Sequence, residues 1–181
     1  MACHLRMNRK LVFISLLIIS PISVKELGAR ADEQLMIKEC HNANVPTTCM
    51  QCLKSDPTSP QADPVGIARI IVKCLQTNLD VLSMNITSIA SKEGEGGIKA
   101  ALEECNKQFP ETRKDLSEAD NGLKEGKYDE AAHSIIEGIQ NPVTCQTTLQ
   151  KLQFQGSPEV YYYINLLKEL ADAAMRIIDR L

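Results

Sequence analysis

Cysteine is the residue here with the most chemical reach. There are seven in 181 residues: Cys3, Cys40, Cys49, Cys52, Cys74, Cys105 and Cys145. Such thiols can ligate metal, attack a substrate or pair as disulfides. Zinc would use Cys49-Met50-Gln51-Cys52, but no second CxxC or finger-spaced His pair completes a tetrahedral set. Cys40-His41 could form a nucleophile pair, and His133-Ser134 offers a base beside a hydroxyl. Ser134 lacks the G-x-S-x-G elbow that would expose it. Glu103-Glu104 and Asp129-Glu130 read as solvated helix faces. No phosphate loop occurs. The sequence names no catalytic residue, no metal ligand and no cofactor. Asn85-Ile86-Thr87 is an N-glycosylation sequon.

The compartment decides what the thiols do. Arg6, Arg9 and Lys10 precede the apolar run Leu11–Ser20, and Ala29-Arg30-Ala31 offers a small-residue cleavage site. That pattern predicts a secretory signal peptide over 1–31. The run is too short to span a bilayer, which takes about 20 apolar residues. Without 1–31 the chain carries 15 basic and 22 acidic residues, a net charge of −7. That leaves no basic footprint for nucleic acid. Six cysteines remain, an even number in an oxidising setting, which predicts disulfides. Six allow 15 pairings, and spacing alone does not choose.

Aromatics make up 4% of the chain and Trp is absent, so aliphatic side chains must build the core. Their periodicity predicts helices. Two short ones come first, over Asp32–Ala43 and Thr47–Ser55, the first broken by Pro46. A Pro-rich connector follows to Asp63, which can cap a helix with Pro64 at its first position. The first long helix covers about 64–91, with a stripe through Ile67, Ile71, Leu75, Asn78, Leu82, Ile86 and Ile89. The second repeats every four and three residues through Ile98, Leu102, Cys105, Phe109, Thr112, Leu116, Ala119 and Leu123, a heptad seam. Pro110 falls inside it and predicts a kink, with Asn121-Gly122 and Gly126 as the stop. The third covers about 128–153. Its seam reads Tyr128, Ala132, Ile135 and Ile139, is interrupted at Asn141-Pro142, and resumes at Cys145, Leu149 and Leu152. Gly156 ends it. Ser157-Pro158-Glu159, a cap with proline at the first position and an acid after it, starts the fourth, which runs to the C-terminus through Val160, Ile164, Leu167, Ala171, Ala174 and Ile178. The expected fold is all-α: an antiparallel up-and-down four-helix bundle over 64–181, preceded by a helical hairpin and connector over 32–63.

This arrangement resembles the plant invertase and pectin methylesterase inhibitors. Leu35-Met36-Ile37-Lys38-Glu39-Cys40 with Cys49 resembles that family's N-terminal hairpin, and Cys52-Leu53-Lys54-Ser55-Asp56-Pro57 the stretch after it. Ala101-Leu102-Glu103-Glu104-Cys105 with Leu116 and Asp120-Asn121 resembles its second bundle helix. Asn141-Pro142-Val143-Thr144-Cys145 resembles the region of its fourth cysteine. The resemblance implies a single inhibitor domain over 32–181, disulfide-stabilised through Cys40–Cys49 and Cys105–Cys145. Cys52 and Cys74 go beyond the family's four; they form either a third bridge, the reading favoured here, or two buried thiols.

The resemblance also implies the work done. A monomer would form a 1:1 complex with pectin methylesterase, slightly favoured, or with acid invertase, in the apoplast or cell wall or in the vacuole. Invertase inhibitors of this kind insert a Pro-Lys-Phe-type turn at the start of the third bundle helix. The matching place reads Gly126-Lys127-Tyr128. Glycine for proline implies a looser turn with less preorganisation. The competing readings are a helical binder of small molecules or lipid, which would need a cavity, and an enzyme.

Overall fold

The computed structural model describes residues 33–181; the expected signal peptide, 1–31, lies outside them. The described residues form six α-helices and one short 3-10 turn. A first helix, α1, spans 33–40. It is followed by α2 (Pro46–Ser55), the 3-10 turn Ser59–Gln61, α3 (Pro64–Ala90), α4 (Gly97–Glu125), α5 (Tyr128–Lys151) and α6 (Pro158–Ile178). The four long helices pack as a bundle in which α3 meets α4 and α6, and α5 meets α4 and α6. The α1–α2 hairpin lies across one side of it, with α2 against α3 and α6.

The helix starts follow side-chain chemistry. Asp63 Oδ1 accepts from Gly66 N at 2.7 Å and Pro64 takes the first position of α3, because a proline there sacrifices only an N–H that had no helical partner. Pro46 acts likewise. It opens α2 rather than breaking α1. Ser157 stands at the N-cap of α6 but its side chain does not cap it. Its hydroxyl donates to Glu159 Oε2 at 2.6 Å and caps no backbone N–H. That bond holds the Glu159 carboxyl below its usual pKa.

Every expected residue of the α4 seam from Leu102 to Leu123 is buried. The helix continues through Pro110, and also through Asn121 and Gly122, to stop at Gly126. The α5 seam differs from its sequence reading. The buried residues are Ala131, Ile135, Gly138, Pro142, Cys145 and Leu149, an unbroken 4-3 repeat that passes straight through Pro142. Ala132 and Ile139 sit at its edge, and Leu152 is 40% exposed. Glycine and proline give little hydrophobic signal, so the repeat was masked where it crosses them. The stop is also earlier: α5 ends at Lys151, with Gln153 at φ 52°, ahead of Gly156. In α3 the stripe is broader than read. Leu79 is fully buried, whereas Asn78 turns its amide to Cys74 O at 2.8 Å.

Those small residues set how closely the helices approach. A Cβ on Gly138 would stand 3.1 Å from Asp115 Cβ, and one on Gly122 would stand 3.1 Å from Ala131 Cβ and 3.2 Å from Lys127 O. The α4–α5 contact is therefore closed at two levels where neither glycine can gain a side chain freely. Cys105–Cys145 pins the same two helices at a third level.

The hairpin is too small to bury a core of its own. Two further disulfides hold it: Cys40–Cys49 joins α1 to α2, and Cys52–Cys74 joins α2 to α3. Polar ties fix it to the last helix. Asn44 donates from its backbone N and its side-chain Nδ2 to the two carboxylate oxygens of Asp172, at 2.8 and 2.9 Å. Thr48 Oγ1 donates to Glu169 Oε2 at 2.5 Å. Arg180 Nη2 reaches both Glu39 Oε2 and Glu39 O, at 2.7 and 2.9 Å. Glu39 is 4% exposed, so the guanidinium satisfies a carboxylate that would be costly to bury alone.

With all six cysteines paired, thiol labelling of the denatured, unreduced protein should detect no free thiol at these positions. Replacing Cys52 and Cys74 by Ser together should leave two bridges and cost about 2–4 kcal/mol in denaturant unfolding. A pair of labelled thiols in the wild-type protein would contradict the third bridge.

Candidate functional site

The residues that might have done covalent chemistry are dispersed or engaged. Cys49 and Cys52 sit in separate disulfides, so neither is a thiolate for zinc. Cys40 is oxidised beside His41. His133 is exposed on α5 and pairs with Glu137 at 3.1 Å. The Ser134 hydroxyl donates to Glu130 O at 3.0 Å, a bond within its own helix. The structure brings no nucleophile and base together from these residues.

What remains is a turn and a helix face. The turn joins α4 to α5. Gly126 has φ 72°, and Lys127 N donates to Gly122 O at 2.8 Å while Gly126 N donates to Leu123 O. This is a Schellman stop, in which a left-handed glycine lets the chain fold back onto the last carbonyls. Proline, held near φ −65°, cannot take that conformation. Glycine here is thus a defined cap rather than a loosened proline, which corrects the expectation of a slack turn. Gly122 matters in the same place, because its bare Cα lets Lys127 O and Ala131 close over α4.

Lys127 and Tyr128 part company beyond the cap. Lys127 is about half exposed, and its ammonium lies 2.8 Å from Glu125 Oε2 and 4.0 Å from Glu130 Oε2. The Glu125 partner raises the Lys127 pKa, and Lys127 lowers that of Glu125. Tyr128 is half-buried and packs against the core. The two do not project as one unit. Beside them a shallow groove of about 240 Å³ runs between α4 and α5, bordered by Glu118, Asn121, Glu125 and Glu130.

The acidic character continues up the α4–α5 face. Asp115, 8% exposed, lies among Glu111, Glu118 and Glu137, with Lys114 nearby. Burial raises its pKa first, and the neighbouring acids add to that. Sequence reasoning missed Asp115, because it directly precedes the seam residue Leu116 and looks like an ordinary solvated acid. A larger polar groove of about 670 Å³ lies among the connector, α3 and Asp120 of α4. There Arg69 donates to Asp120 at 2.7 Å, and Lys73 bonds Asp56 at 3.0 Å. The Thr58 hydroxyl and N–H, with Lys73 behind them, lower the Asp56 pKa to about 2. No helix among the described residues is long and apolar enough to cross a membrane.

Residues 35–177 match the family model described as plant invertase/pectin methylesterase inhibitor, and the chain belongs to that family. Its members are inhibitors of enzymes rather than enzymes. It is 25% identical to a pectinesterase inhibitor of Actinidia deliciosa over 153 residues, covering 82% of this chain and 80% of the relative. It is 24% identical to the cell wall / vacuolar inhibitor of fructosidase 2 of Arabidopsis thaliana, over 97% of this chain and 99% of the relative. Among solved structures it resembles a mutant form of a pectin methylesterase inhibitor from Arabidopsis. The TM-score is 0.70 at 18% identity, with 81% of this chain and 96% of the other covered. At that identity the likeness establishes the fold.

Two substitutions test this geometry. Gly122→Val should destabilise the protein by about 1–3 kcal/mol in chemical unfolding, since its branches meet Ala131 and the Lys127 carbonyl. Asp115 has a folded pKa above its unfolded value, so its ionisation costs stability as pH rises past the unfolded pKa, and costs nothing well below it. Asp115→Asn should therefore raise the melting temperature by more at pH 7 than at pH 3; an equal gain at both would refute the charge argument.

Proposed function

We propose that this chain is a secreted inhibitor of pectin methylesterase, acting in the cell wall as a monomer that forms a 1:1 complex. Family membership and the likeness in sequence to a pectinesterase inhibitor over most of both chains support the class of target. The observation that favours this enzyme is the α4–α5 turn. Gly126 holds a left-handed cap that proline could not occupy, and Lys127 is already paired with Glu125 and Glu130. Insertion of a preset proline–cation–aromatic turn into a sugar cleft asks for the opposite arrangement. A helix face whose α4–α5 spacing is set by close contacts at Gly122 and Gly138 suits docking over a target without loop rearrangement.

A second reading, inhibition of acid invertase, draws support from two features. Lys127 is accessible and stands next to an aromatic residue, and the fructosidase inhibitor aligns over almost the whole chain. Secretion is supported by the leader-like segment and by six oxidised cysteines, a state that persists outside the reducing cytosol.

Purified protein should inhibit pectin methylesterase at equimolar to micromolar levels and leave acid invertase active. Lys127→Ala should change pectin methylesterase inhibition by less than about twofold, as expected for an exposed rim charge. Inhibition of invertase alone, lost in Lys127→Ala, would establish the second reading. Inhibition of neither at micromolar excess would remove both.

A further inference from the structure

Asn85 sits in α3, and the face it occupies bears on what happens to it. Ser83 and Thr87 turn toward α4, where both meet Asn106: Ser83 Oγ donates to Asn106 Oδ1 at 2.5 Å, and Asn106 Nδ2 donates to Thr87 Oγ1 at 2.8 Å. Asn85 is two residues from each, about 200° around the helix from both. It is half-buried, and its neighbour Met84 is 63% exposed. The middle residue of the sequon, Ile86, is fully buried in the finished bundle. Its burial depends on α4 and α6, both made after the sequon. An unpacked Asn85-Ile86-Thr87 is therefore presented while the rest of the chain is still being synthesised.

We propose that Asn85 carries an N-linked glycan, added before α3 is packed. Asn85 Nδ2 forms a bond to the anomeric carbon of a polyprenyl-diphosphate-linked oligosaccharide. The bond from that carbon to the diphosphate oxygen breaks, polyprenyl diphosphate leaves, and the amide gives up one proton. In the folded bundle Asn85 is partly exposed, away from the α3–α4 contact and next in sequence to the exposed Met84, so the product can project to solvent on that side. Its position along the bundle has a second meaning. Asn85 lies 21 residues after the start of α3, about 30 Å along the axis. The α4–α5 turn with Lys127 is at the opposite end, since α3 and α4 run antiparallel. The glycan thus marks the end of the molecule away from that turn.

The proposal rests on the secretory part of the proposed function, and the test separates the two. The full chain is expressed in plant leaves with its own leader, and in parallel with a foreign secretory leader. Protein from the extracellular wash is analysed by intact mass and peptide mapping before and after peptide-N-glycanase. The expected result is a heavier protein whose excess mass is lost on digestion, leaving an aspartate at the acceptor position. Asn85→Gln and Thr87→Ala should each abolish the excess; Thr87→Ser, which keeps a hydroxyl acceptor motif, should retain it. Secreted protein with an unmodified Asn85 peptide overturns the proposal and leaves secretion standing. A chain modified only behind the foreign leader supports the acceptor site and removes the native-leader reading.

Discussion

The architecture depends on how closely α4 and α5 approach. Gly122 and Gly138 remove side chains from the contact, and Cys105–Cys145 fixes it covalently. Close-packed interiors feel a change of even one methylene, so this contact sets the shared acidic face and the turn that ends it. Gly126 gives the turn its handedness, and the carbonyl of Lys127 rests over Gly122. The same short spacing brings Asp115 under cover beside Glu111, Glu118 and Glu137. The face is acidic, with Asp115 buried under α5 and Glu111, Glu118 and Glu137 exposed around it.

The hairpin has a different dependence. Short helices have little stability alone, because a costly nucleus is repaid by few hydrogen bonds. Here each is held by sulfur and by a carboxylate. Cys40–Cys49 closes the hairpin on itself, and Cys52–Cys74 ties it to α3. Asp172, Glu169 and the Glu39–Arg180 pair then fix its lie on α6. The hairpin also buries Met36, Ala43 and Leu53 in the common core, so its polar ties add orientation to an apolar contact.

Much of this was legible in the sequence. The α4 heptad, the Asp63 cap, the boundaries of α3 and the start of α6 follow from local signals that tertiary structure reinforces, whereas α6 stops at Ile178 short of the expected C-terminus. Legibility failed where the signal was silent or distant. Gly138 and Pro142 are core positions without a hydrophobic signature, so the α5 seam looked broken. Leu79 was passed over because Asn78 fitted a narrower stripe. Asp115 looked like a solvated acid, since nothing local announces that a facing glycine will draw α5 over it. Asn44–Asp172 and Glu39–Arg180 join residues more than 120 positions apart, and no periodicity encodes such partners. Of the site, the residues of the turn were readable. The inward packing of Tyr128 was readable from its seam position, whereas the pairing of Lys127 with Glu125 and Glu130 across the turn was not.

The Glu39–Arg180 pair sets an order on assembly. One partner is among the first residues of the folded domain to be made and the other is the penultimate residue of the sequence. The hairpin can close its nine-residue disulfide early, yet it has no α6 to lie against until α6 has been made. Until then its polar ties to Glu169, Asp172 and Arg180 have no partners. The contact that fastens the beginning of the domain is therefore available only once Arg180 has been made.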